Sequence, residues 1–87
     1  MMTEGFERVG PLAVRSGDGE VLMRRVGLEL AYRGETHAVD SEMLGGSPLG
    51  ILVYFESSSA AKAPDASSIR TFLADALAFY GLRVEWL

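Results

Sequence analysis

The hydrophobic pattern is clearest in the last quarter of the chain. From Ile69 to Tyr80, apolar side chains recur at helical spacing within an arc of about 160°, which predicts an amphipathic helix over about residues 66–80. Asp65 is the best N-cap candidate, because its carboxylate can accept hydrogen bonds from the free amides of the first turn, and Ser67 is the alternative. Gly81 suits the end of the helix. Residues 82–87 alternate between apolar and polar, which predicts a final strand.

The first half of the chain reads as strands. The turn signal at 16–19, Ser-Gly-Asp-Gly, predicts a hairpin that joins residues 12–15 to residues 20–25. Strict alternation over Val26–Tyr32 predicts a half-buried strand. Residues 20–33 could also form one long strand with a bulge at Arg24 and Arg25.

The middle of the chain predicts a short strand, a loop and then an apolar strand. Residues 36–39 predict a short strand, and Asp40–Pro48 predict a loop, because its Gly-Gly-Ser-Pro core suits neither a helix nor a central strand. The same glycines could form a small anion-binding nest, although a plain turn explains them. Leu49–Phe55 is apolar without alternation, which is typical of a strand inside a sheet with both faces covered.

These elements predict a single α+β domain over residues 1–87. Its expected form is a small antiparallel β-meander of about four strands, with the amphipathic helix packed on one face and the C-terminal strand 82–87 added to the sheet. Residues 1–5 are expected to be disordered. Residues 57–64, rich in serine and alanine, are expected to form a flexible linker before the helix.

Composition indicates a protein partner. Of the 87 residues 48% are apolar, and a chain this short has little interior in which to bury them. One helix covers only one face of a sheet, so we expect a homodimer or a hetero-complex. The expected interaction residues are Leu52 and Tyr54 on the sheet, and the small side chains on the outer helix face, Thr71, Ala74 and Ala78. The alternative explanation for the alanines on this face is that alanine is the best helix former.

Charge and cysteine content exclude several classes of function. A net charge of −4 argues against binding to nucleic acid or to an anionic membrane surface, both of which require clustered Lys and Arg. The absence of cysteine excludes disulfides and cysteine-bound metals, and it favours a cytoplasmic location. The first residues resemble no secretory signal, and the longest apolar run is too short to span a bilayer.

Candidate chemistry is sparse. His37 is the only histidine, and Glu35 and Asp40 lie near it in the sequence, so these three are the candidates for an acid–base site. No metal site, cofactor site or nucleophile motif is predicted.

Three hypotheses about the function remain open. The first is a non-catalytic protein–protein interaction module, such as an inhibitor, an immunity or antitoxin-like protein, or an assembly subunit. The others are a small enzyme or ligand-binding domain that uses His37, and a structural subunit of a phage or secretion assembly.

Overall fold

A computed structural model describes residues 5–87, in which seven strands form one sheet in the order of the chain. Residues 1–4, which hold most of the segment predicted to be disordered, lie outside the described residues. The strands are β1 (Glu7–Gly10), β2 (Ala13–Ser16), β3 (Gly19–Arg24), β4 (Gly27–Tyr32), β5 (Glu35–Leu44), β6 (Gly50–Tyr54) and β7 (Arg83–Trp86). A 3-10 turn spans Ser59–Lys62, and the helix α1 spans Ala66–Tyr80.

The fold is mostly sheet, and the predicted meander of about four strands plus a helix is wrong. Neighbouring strands are antiparallel, except that β7 runs parallel to β6, so the sheet is mixed. It curls into a half-barrel whose concave side holds α1. The prediction failed partly because β1 is exposed along its whole length and has no apolar alternation to mark it. All the strands also join one sheet, which local patterns do not specify.

The curl of the sheet depends on its longest strand. β5 pairs with β4 through residues 35–39 and with β6 through residues 40–44. Because its two neighbours use different halves of it, the sheet is staggered, as in a barrel. The predicted loop over Asp40–Pro48 is therefore wrong as far as Leu44. Asp40 and Glu42 face solvent from a genuine strand, and their polarity makes that strand resemble a loop.

A tight turn separates β3 from β4. Arg24 pairs with Gly27, so residues 20–33 are two antiparallel strands and not one bulged strand. Gly27 has a φ of +105°, which a side chain rarely tolerates. Val26 lies in this turn and is 83% exposed, so it does not share the buried face of β4 as the alternation predicted.

The helix has the predicted bounds and buries the predicted face. Its fully or almost fully buried residues are Ile69, Phe72, Leu73, Ala76 and Leu77, which pack into the concave side of the sheet. Asp65 stands at the N-cap position, but its side chain makes no capping hydrogen bond. Gly81 ends the helix in the left-handed conformation with φ +108°, and its N–H donates to the carbonyls of Leu77 and Ala78.

Two further segments bear on the candidate sites. The expected linker 57–64 contains the 3-10 turn, and its Ser58 and Ala60 are buried, so this segment is anchored on the core. β6 lies inside the sheet as predicted, but it alternates: Ile51 and Val53 are buried in the core, whereas Leu52 and Tyr54 are only half-buried on the other side. Within residues 5–87, the second face of β6 is therefore not fully covered.

Candidate functional site

His37 is the most unusual polar side chain of the core. β5 directs it to the concave side, where it is 8% exposed. Its Nδ1 lies 2.8 Å from Oγ of Ser59, the first residue of the 3-10 turn. Its Nε2 is buried without a hydrogen-bond partner, and Oε1 of Glu35 lies 3.9 Å away. The fold thus brings a hydroxyl, an imidazole and a carboxylate into one row.

Of the two carboxylates predicted to lie near His37, Glu35 does so and Asp40 does not. Glu35 lies two residues before His37, on the same side of β5, and remains 71% exposed. Asp40 lies three residues after His37, so its side chain is on the opposite face of β5. There its neighbour on β6, directly across the two strands, is Tyr54. Sequence reasoning missed Ser59, because a serine-rich stretch reads as a linker and the contact spans 22 residues.

A neutral imidazole carries one N–H and one lone pair, so the surroundings of its two nitrogens decide the tautomer. The charged group that faces Nε2, at 3.9 Å, is the carboxylate of Glu35, whose oxygens accept hydrogen bonds when ionised. The proton is therefore better placed on Nε2, where it faces Glu35. Nδ1 then accepts a hydrogen bond from the hydroxyl of Ser59.

The second candidate site is the outward face of the sheet, here called the convex face. α1 and the 3-10 turn both pack on the concave side, so in the described part of the chain no helix or turn covers the convex face. This face continues from strand to strand. On it, Glu42 of β5 lies opposite Leu52 of β6, which lies opposite Glu85 of β7. Its members on β3 to β7 include Glu20, Leu22, Glu29, Ala31, Ala38, Asp40, Glu42, Leu52, Tyr54 and Glu85.

Tyr54 and Glu42 form a short hydrogen bond on the convex face. The phenol of Tyr54 donates to Oε1 of Glu42 at 2.7 Å. This hydrogen bond, together with partial desolvation and the nearby carboxylates, raises the pKa of Tyr54 above its ordinary value. The bond fixes the ring on the surface of the sheet, where its apolar part stays half-exposed.

Arginines on this face are held in ion pairs. Arg15 pairs with Glu7 at 2.9 Å, and not with Glu20. Arg24 pairs with Glu29 across β3 and β4 at 2.9 Å. Arg83 pairs with Glu85 and also donates to the carbonyl of Gly45, in the loop considered as an anion nest. Among residues 5–87, neither Asp40 nor Glu42 lies within ion-pair distance of a cationic side chain.

The predicted interaction residues fall on two separate surfaces. Leu52 and Tyr54 lie half-buried on the convex face. Thr71 and Ala78 are exposed and Ala74 is half-buried on α1, which packs on the other side of the sheet. A single flat partner surface cannot contact both sets.

No protein-family model, curated protein or solved structure matches the chain. Within residues 5–87, no three His, Asp or Glu side chains are grouped so as to hold a metal ion. No helix in the described part has both the length and the apolar character needed to cross a membrane.

Proposed function

We propose that the chain is a protein–protein interaction module, an inhibitor, an immunity or antitoxin-like protein, or an assembly subunit, and that it binds its partner through the convex face. One observation carries this proposal: α1 covers only the concave side and leaves Leu22, Leu52 and Tyr54 half-exposed on the other. Half-exposed apolar side chains bordered by carboxylates are typical of a surface that gains free energy when a partner excludes water. We place the protein in the cytoplasm, since it has no cysteine.

The charge of the convex face favours a basic partner. Arg15, Arg24 and Arg83 are already paired with glutamates, and among residues 5–87 Asp40 and Glu42 form no ion pair, although Glu42 accepts the hydrogen bond of Tyr54. A second copy docked face to face would oppose like charges, which is unfavourable across an interface. A hetero-complex is therefore favoured over a homodimer through this face, and over a phage or secretion subunit that repeats contacts between identical convex faces.

A second candidate is a small enzyme that uses His37 with a nearby carboxylate. The contact of 2.8 Å between His37 and Ser59 favours it, because an exposed hydroxyl beside an imidazole is a chemically competent pair. Asp40 takes no part in this candidate, since it lies on the opposite face.

The binding proposal is tested by a matched pair of charge-adding variants. Leu52 lies between Glu42 and Glu85, so Leu52→Lys adds a cation that these carboxylates accommodate while it makes the surface less acidic. Ala78→Lys adds the same charge on the exposed side of α1. Tagged wild type and both variants would be expressed in the native host and recovered with their partners.

We expect wild type and Ala78→Lys to retain the same partner, and Leu52→Lys to lose at least tenfold in affinity, about the loss of one contact of 1.4 kcal/mol. The reverse result, with the partner lost only in Ala78→Lys, would assign binding to the helix face. Circular dichroism on all three proteins checks that they are folded.

A further inference from the structure

We propose that Ser59 is a nucleophilic serine, that His37 is its general base, and that the pair takes acyl groups from small activated esters. This inference rests on the second candidate function and not on the convex face. The observation that carries it is the row formed by Ser59, His37 and Glu35, with 2.8 Å between the first two side chains and 3.9 Å between the last two. A nucleophile, a base and a group that orients the base are the three roles that such a site needs.

Neighbouring serines show that this arrangement is particular to Ser59. The hydroxyl of Ser57 donates to the carbonyl of Tyr54 at 3.3 Å, and that of Ser58 donates to the carbonyl of Phe55 at 2.6 Å. Ser58 is also buried, whereas Ser59 is exposed. Of these three serines, only Ser59 combines access from solvent with a basic nitrogen in hydrogen-bond range.

The base is held in one orientation. His37 is 8% exposed on a central strand, so its ring cannot turn out into solvent without disturbing the core. A proton on Nε2 faces Glu35 and leaves the lone pair of Nδ1 directed at Ser59. At 3.9 Å Glu35 makes no hydrogen bond to Nε2, so it acts on Ser59 only through its electrostatic effect on the tautomer of His37.

The proposed reaction is acyl transfer in two steps. Oγ of Ser59 attacks the ester carbonyl carbon and forms a C–O bond, while its proton moves to Nδ1 of His37. The bond from that carbon to the leaving oxygen then breaks, and the leaving oxygen takes the proton from Nδ1. Water repeats the sequence on the acyl-serine: Nδ1 accepts a proton from water, the acid is released, and Oγ regains its proton.

The experiment uses the full chain and 4-nitrophenyl acetate as the acyl donor. Peptide mass spectrometry would locate and time the acetyl adduct, and the release of nitrophenolate would give the rate. In wild type we expect acetylation at Ser59 to exceed that at Ser57 by at least tenfold, a comparison within one molecule that requires no variant. The matched control Ser57→Ala should retain the reaction, and Ser59→Ala should lose it. Equal labelling of Ser57 and Ser59 would overturn the proposal.

The role of His37 is tested with His37→Gln, whose folding is checked by circular dichroism. Removal of a general base should slow acetylation of Ser59 about 100-fold or more. An unchanged rate in the folded variant would overturn the proposal. If His37→Gln does not fold, nitrogen chemical shifts of wild type decide: the proposal requires the tautomer protonated on Nε2, with a smaller share of it in Glu35→Ala. A failure of these tests would leave the proposed partner surface untouched, since neither experiment involves the convex face.

Discussion

Single residues of this protein take their properties from which face of a strand they occupy. His37 and Asp40 are three positions apart on β5, so one lies in the core beside Ser59 and the other in solvent opposite Tyr54. Tyr54 in turn meets Glu42 because the two lie diagonally on the convex face. The register of β5 therefore decides which side chains can act together.

Tyr54 provides a test of that register through its pKa. Its phenol donates to Glu42, so its folded pKa lies above the value of about 10 in an unfolded chain. The stabilisation from this bond is fully present below about pH 10 and is lost as the pH rises through the raised pKa. Titration of Tyr54 by NMR should show late deprotonation in wild type and a pKa closer to the ordinary value in Glu42→Gln. Identical titration curves would contradict the contact.

The helix is the element on which the concave core depends. Phe72 packs against Phe6 and Tyr32 in tilted arrangements, with ring centroids 5.6 Å and 5.1 Å away, and is 6% exposed. Asp65 stands at the start of the same helix without a side-chain capping bond. Burial and capping can therefore be compared within a single element.

Replacement of these two side chains with alanine should change the free energy of unfolding by very different amounts. Phe72→Ala should lower the free energy of unfolding by about 3–5 kcal/mol, because it removes a buried ring and leaves a cavity. Asp65→Ala should change it by less than about 0.5 kcal/mol, since no capping hydrogen bond is lost. Denaturant unfolding measures both. A larger loss for Asp65→Ala than for Phe72→Ala would contradict the packing described.

Elements with strong local signals are the ones that the sequence predicts. The stripe from Ile69 to Leu77 and the glycine at 81 mark the helix, and a Ser-Gly-Asp-Gly turn marks the first hairpin. β1 and the second half of β5 escape prediction because their polar residues imitate loops. The curl of the sheet and the pairing of His37 with Ser59 depend on contacts between distant segments, for which a single sequence carries no direct signal.

At the scale of the whole molecule, the core lies between α1 and the concave side of the sheet, and the convex face is not covered by a helix. The radius of gyration of 11.8 Å is close to the value of about 12 Å expected for a compact chain of this length. Within residues 5–87, α1 fills the concave side, and the convex face presents Leu52 and Tyr54 among carboxylates. A compact fold with an uncovered, acidic, partly apolar sheet surface is the basis of the proposed binding function.

The mass of the protein in solution tests this account most directly. Light scattering would be applied to wild type and Leu52→Lys, each purified under native conditions from its own host at high protein concentration. The account predicts a wild-type complex well above the 9.4 kDa of one chain, with a basic partner bound, and a smaller share of that complex for Leu52→Lys. A wild-type mass of 9.4 kDa with no partner bound would contradict it.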